Sequence, residues 1–181
     1  PVPRDVVLLS PPVAMVFAPS RWYSNGGVPM TLSWNFLTNP LARFSRNHAN
    51  SRLFWRLKEP LRKLFTPRRN SPIEDWIWLD RFDGDLKIQI NRNAYLGSLL
   101  YWHGGHAQEE SAYFKLFLKP GMVVVDAGAN FGELTLIAAK QVGPTGHVYS
   151  FEPVPSIFQV LNRNIVANGF NHVHAQNTGL H

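Results

Sequence analysis

From Met122 to the end of the chain, apolar and polar positions follow two alternating patterns. Met122 to Val125 is a short, continuous apolar run, the mark of a strand buried on both faces, and Asn130 to Gln141 reads as a helix. Gly143-Pro144-Thr145-Gly146 then forms a turn, His147 to Phe151 a second strand, Ser156 to Asn168 a second helix stopped by Gly169, and His172 to Gln176 a third strand. Strands alternating with helices predict right-handed βαβ units and a parallel sheet, so the fold class is α/β. Upstream, Trp76 to Phe82 and Leu86 to Ile90 flank Asp83-Gly84-Asp85 as in a β-hairpin. Gln108 to Leu118, with Tyr113, Phe114, Leu116, Phe117 and Leu118, reads as a helix closed by Pro120-Gly121.

Before Pro72 the pattern dissolves. Residues 1 to 40 mix Pro, Ser, Gly and Asn with isolated aromatics and predict irregular chain. Ser51 to Arg69 places Phe54, Leu57, Leu61, Leu64 and Phe65 at helical spacing among basic side chains, with Pro60 breaking the run. Such a segment reads first as a solvated helix whose apolar stripe packs on the following domain, with peripheral contact to an anionic membrane or a nucleic acid as the alternative. Charge divides the chain at the same place. Residues 1–70 carry eleven Lys and Arg against two acids, whereas residues 71–181 are net −3. The expected organisation is a basic extension over 1–70 and a folded unit over 71–181.

Composition narrows the chemistry. Hydrophobic residues at 45% support a packed core, and the absence of Cys excludes disulfides, thiolate metal sites and cysteine nucleophiles. The apolar run from Val6 to Phe17 is cut by Ser10, Pro11 and Pro12 and falls short of the ~20 residues that span a bilayer. A cytoplasmic location is expected, with any membrane contact peripheral and through residues 51–69.

The segment with the clearest chemistry is V-V-V-D-A-G-A-N-F-G, Val123 to Gly132, a strand feeding through small residues into a helix. A ligand at such a turn meets the carboxyl edge of the sheet and the free N–H groups of a helix start. Gly128 and Gly132 are expected to let the backbone approach it closely. Asp126 sets a carboxylate beside the turn, which suits a ligand bearing an ammonium group and hydroxyls and repels a pyrophosphate. The G-x-G-x-x-G order of nicotinamide sites and the G-K-S/T of a P-loop are both missing. Glu152, in V-Y-S-F-E-P, stands 20 residues beyond Gly132 at the end of the adjacent strand, where a carboxylate can accept from both hydroxyls of an adenosine ribose.

Together, V-V-V-D-A-G-A-N-F-G-E-L-T, V-Y-S-F-E-P and L-N-R-N-I-V-A-N-G-F resemble the FkbM family of S-adenosylmethionine-dependent methyltransferases, over about Trp76 to Leu180. The resemblance implies a Rossmann-like class I methyltransferase fold. It implies that Asp126, Gly128, Ala129, Asn130 and Gly132 hold the methionine part of S-adenosylmethionine, that Glu152 holds the ribose, and that Thr178 lies in the loop beside the adenine. Glu109 or Glu110 would stand near the cofactor. The acceptor would be a hydroxyl of a sugar or other small metabolite, with nucleic acid not the expected partner. The family's sheet has seven strands, of which three are found here, so the domain is expected to be truncated after the third strand. The first of the three would then have an open edge, and this length of chain alone is expected to transfer no methyl groups.

The histidines offer less. His103-Gly104-Gly105-His106, followed by Glu109 and Glu110, reads as a turn before a helix rather than a metal site, and His172 and His174 are expected to face solvent. No residue stands out as a catalytic base. A reading of a different class remains: a non-catalytic binding protein whose basic arm carries a degenerate cofactor domain.

Overall fold

A computed structural model of the chain describes residues 6–9, 42–44 and 74–179. In chain order its elements are β1 (Val6–Leu9), β2 (Trp76–Phe82), β3 (Leu86–Asn91), α1 (Tyr95–His103), α2 (Gln108–Phe117), β4 (Val123–Ala127), α3 (Glu133–Val142), β5 (His147–Phe151), α4 (Pro155–Ala167) and β6 (Val173–Gln176). Four strands form one parallel sheet in the order β1-β4-β5-β6, and β2 and β3 form a separate antiparallel hairpin.

The β4-α3-β5-α4-β6 run is the expected Rossmann-like arrangement. Register pairs Val124 with Val148 and Asp126 with Ser150. These four residues are buried on the face under α3, where Thr135 reaches both Asp126 and Ser150. Successive right-handed crossovers in one direction place α3 and α4 on the same side of the sheet. Leu136, Ile137 and Val142 of α3 and Val160 and Leu161 of α4 fill the layer between. Each such side chain taken out of water contributes about 1.5–3 kcal/mol.

The hairpin caps the far side of α4 through two amides one helical turn apart. Asn164 Oδ1 accepts from Gln89 N at 2.7 Å while its Nδ2 donates to Gln89 O at 3.1 Å and Phe131 O at 2.7 Å. Asn168 repeats the move on Lys87, accepting from its N at 2.8 Å and donating to its O at 2.6 Å. The i, i+4 spacing of the helix thus matches alternate residues of β3, and two side chains stand in for a strand along its edge. At the hairpin's tip, Asp83 (φ 44°) and Gly84 (φ 93°) adopt the left-handed conformations a tight turn requires. Lys140 of α3 donates to Asp83 O at 2.8 Å and pairs with Asp85, whose carboxyl it holds below the ordinary value, and Lys115 of α2 pairs with Asp83.

Two expectations are corrected. Val6–Leu9, inside the stretch read as irregular, is a strand, and it covers the edge of β4 expected to be open, with Val6 opposite Val123 and Leu9 opposite Asp126. Four apolar residues bounded by prolines are too short to show a period, and their partner lies more than a hundred residues along the chain, so local pattern could not reveal the pairing. Helix α1 has only a weak signal in the sequence. Gly97 lies in its middle because a Cβ there would meet Asn91 O at 2.0 Å, and that glycine weakens the helical pattern. Residues 51–69 lie outside the described residues, among which no helix is long and apolar enough to cross a membrane.

Candidate functional site

The parallel strands deliver Ala127 and Phe151 to the same end of the sheet, and the loop 128–132 folds back over that end. Its backbone is built from left-handed residues: Gly128 at φ 83°, Asn130 at φ 51° and Gly132 at φ 96°. The two glycines do different things. A Cβ on Gly128 would meet nothing within 4 Å, so its exposed backbone borders open space, as a ligand cradle requires. A Cβ on Gly132 would come within 2.7 Å of Leu161 Cδ1, so this glycine lets the loop seat on α4. Open space thus adjoins Gly128, while the space at Gly132 is taken by Leu161.

The N–H groups of the loop itself, residues 128–132, are engaged within the protein. Gly128 N and Ala129 N both donate to Phe151 O, at 2.8 and 2.9 Å, and Gly132 N donates to Ala129 O at 2.9 Å. Asn130 N donates to Glu152 Oε2 at 2.9 Å, and Phe131 N to the side-chain oxygen of Asn130 at 2.8 Å. The loop is thus fixed in shape before any ligand arrives, and recognition falls to its side chains, carbonyls and the space above it.

Glu152 is the organiser. It is 6% exposed, and while Oε2 holds Asn130, Oε1 accepts from Val154 N at 2.8 Å. Each oxygen retains lone pairs, enough for a vicinal diol. Its own carbonyl accepts from Asn177 Nδ2 at 2.8 Å, which draws the 177–179 loop to the same end of the sheet. Thr178 there is exposed, its hydroxyl 3.2 Å from Gly179 O, at the rim of the site.

Asp126 sits underneath rather than beside the open space. It is 3% exposed, and its Oδ2 accepts the Thr135 hydroxyl at 2.5 Å, which in turn lies 3.0 Å from Ser150 Oγ. Burial, with the nearby Glu152 charge adding to it, pushes the Asp126 carboxyl above its ordinary value, against the opposing Thr135 hydrogen bond. Thr135 and Ser150 carry no spacing signal in the sequence, being small polar residues inside a helix and a strand.

A second polar cluster adjoins the loop. Glu133, the residue after Gly132, is 2% exposed and accepts from His106 N at 3.1 Å and Ala107 N at 3.3 Å, while its Oε2 contacts His106 Nδ1. Gly105 makes room, since a Cβ there would stand 2.8 Å from Glu133 Oε1. The His106 ring meets Phe131 edge-on, with centroids 6.4 Å apart. Glu109 and Glu110, expected near the cofactor, lie exposed in the first turn of α2 just after this turn. Elsewhere His174 is exposed as expected, while His172 is half-buried with Nε2 3.0 Å from Ala139 O. Among the described residues no group of three or more His, Cys, Asp or Glu gathers to hold a metal ion.

The preformed loop, the open space at Gly128 and the Glu152 carboxylate, which has lone pairs to spare, are compatible with the nucleoside-like ligand that the sequence suggests. Residues 126–180 match the model of the methyltransferase FkbM domain. A protein-L-isoaspartate O-methyltransferase of Methanothrix thermoacetophila is 40% identical over 50 residues, 28% of this chain and 24% of that protein. Among solved structures, a putative rRNA-methylase from Clostridium thermocellum overlaps 40% of this chain and 39% of its own at 26% identity, with a TM-score of 0.39. The Pyrococcus abyssi tRNA (uracil-54, C5)-methyltransferase bound to S-adenosyl-L-homocysteine overlaps 57% of this chain and 24% of its own at 16% identity, with a TM-score of 0.42. The chain therefore spans about a quarter of the curated relative's length, and the structural overlaps are local. Within that span the match coincides with the loop, the Glu152 strand end and the 177–179 loop: residues 126–180 of this chain are similar to the methyltransferase FkbM domain.

Proposed function

We propose that this chain is the donor-binding part of an S-adenosylmethionine-dependent methyltransferase that acts on a hydroxyl of a sugar or another small metabolite. The observation that carries the reading is Glu152, a buried carboxylate with spare lone pairs at the strand end beside the open backbone of Gly128, inside the segment that matches the FkbM domain. When bound, the sulfonium donor supplies an activated methyl group. The chain's residues bind and orient it. Glu152 accepts from the ribose hydroxyls, Gly128, Ala129 and Asn130 border the methionine portion, Asp126 braces the loop from below through Thr135, and Thr178 contributes at the adenine rim. Holding donor and acceptor in line is what such a site adds to the rate. Residues 71–181, which carry the site, are net −3 within a chain of net +6, and that local acid excess favours a small neutral acceptor at the site over a polyanion such as RNA, which a protein grips with Lys and Arg.

Calorimetry tests the donor site. S-adenosylmethionine and S-adenosylhomocysteine should both bind, and Glu152→Gln should weaken both about tenfold or more, the cost of losing charge-assisted hydrogen bonds. Preference for NAD, or binding indifferent to Glu152, would overturn the reading. A labelled-methyl assay on a longer version of the protein, offered sugars, small alcohols and tRNA in parallel, tests the acceptor class, and transfer to tRNA alone would refute it.

A further inference from the structure

Beyond donor binding, the His106–Glu133 pair has the arrangement of a proton-transfer site. Glu133 opens α3 directly after the loop, and its buried carboxylate is held on three sides by His106 N, Ala107 N and His106 Nδ1. With the backbone amides and the Gly105 turn fixing the carboxylate, the imidazole is left in one orientation, Nδ1 toward Glu133 and its edge against Phe131 of the loop. A carboxylate on Nδ1 keeps the proton there and leaves Nε2 as the basic nitrogen. The His106 side chain is 28% exposed and Nε2 has no hydrogen-bond partner among the described residues, which leaves that nitrogen for an incoming group.

We infer that His106 Nε2 is the proton acceptor for the methyl-receiving hydroxyl and that Glu133 is its positioning residue. The inference rests on the proposed function. His106 takes the hydroxyl proton as the acceptor oxygen bonds to the methyl carbon and the carbon–sulfur bond breaks, its electron pair leaving with the neutral thioether. Atoms and charge balance: one sulfonium and one alcohol become one thioether and one ether, with the proton on His106. The groups facing the ring agree with this role. Burial by itself would lower the proton affinity of His106, but the hydrogen bond and charge of Glu133, with the charge of Glu110 behind it, outweigh that and raise it above the ordinary 6.5. Activity limited by this base would therefore rise with pH through a value above 6.5.

The test compares two ligands that differ by one charge at sulfur. With histidine isotopically labelled, NMR titration of the 181-residue chain follows the imidazole signals, and His106→Gln identifies which of the seven belongs to His106. If Nε2 stands near the reacting sulfur, the His106 pKa should lie lower by about 0.5 or more with S-adenosylmethionine than with S-adenosylhomocysteine, the effect of a unit charge about 6 Å away in a watery site. Glu133→Gln should bring the unliganded value down toward 6.5, and equally placed variants that merely loosen the turn would not. Both ligands binding with the same His106 pKa would overturn the inference while leaving the donor site standing, and would make the pair a turn anchor. Neither ligand binding would overturn the proposed function and this inference with it. The ligand comparison uses the unsubstituted chain, so it decides the matter even if Glu133→Gln fails to fold.

Discussion

Asn130 holds a φ of 51° without being glycine, an arrangement that costs of order 1 kcal/mol and persists only where neighbours enforce it. The neighbours are Glu152, which takes its N–H, and its own side chain, which takes that of Phe131. Asn tolerates this region better than other non-glycine residues, so Asn130→Ala should destabilise the chain and weaken S-adenosylhomocysteine binding together, whereas Asn130→Gly should restore stability; thermal melts and calorimetry on both variants check it. Asp126 makes a prediction of opposite sign. Its folded-state proton affinity is raised, so between its ordinary value of 3.8 and the raised one the folded chain binds more protons than the unfolded chain, and stability falls as pH rises through that window. Asp126→Asn keeps an acceptor for Thr135 without the charge. It should melt above the parent at neutral pH, with the gap closing as pH falls toward 3.8, and melting temperatures measured across that range decide it. At this scale the sequence showed which residues gather and not what each one does. The spacing of Asp126, Gly128, Gly132 and Glu152 brought all four to one strand end, but Asp126 beneath the loop and Gly132 against Leu161 follow from packing partners that no local pattern encodes.

Elements join through a few polar ties. Asn164 is wholly buried and satisfies Gln89 and Phe131 with one amide, so it couples the hairpin to the loop across α4. Removing it leaves three backbone groups without partners, Phe131 O buried and Gln89 N and O half-buried. Asn164→Ala should therefore cost about 2–4 kcal/mol, since each orphaned group costs of order 1 kcal/mol or more, and Asn168→Ala, at a wetter position, about 1 kcal/mol. Urea unfolding midpoints would rank them, and equal losses would mean that the hairpin is not held through Asn164. Both asparagines lie in the L-N-R-N-I-V-A-N stretch that supported the family resemblance, yet their bonds to Lys87 and Gln89 were invisible, because helix periodicity reports which face is apolar and says nothing of which backbone a polar side chain will meet. The βαβ elements, in contrast, were legible to within three residues at each end, since continuous apolar strands and Gly-stopped helices are strong local signals.

Across the whole molecule, the unexpected piece is β1. It comes from the basic first seventy residues, yet it lies parallel along β4 and completes a four-stranded sheet with the strands of the more acidic remainder. A strand edge left open offers unpaired N–H and C=O groups to any other chain, and β4 is a short apolar strand at the sheet's core. Its pairing with β1 therefore bears on solubility as well as on stability. Starting the chain at Ser71 removes β1 and uncovers that edge. The shortened protein should unfold at lower urea and sediment as dimers or larger species at concentrations where the full chain is monodisperse, and substituting Val7 by Pro in the full chain should reproduce part of the effect by deleting one donor from the ladder. Sedimentation velocity on the three proteins decides it: a monomeric, equally stable chain from Ser71 would mean that β1 contributes nothing to the sheet, and self-association confined to the two altered proteins would make the amino-terminal strand an integral part of the domain that carries the Glu152 site.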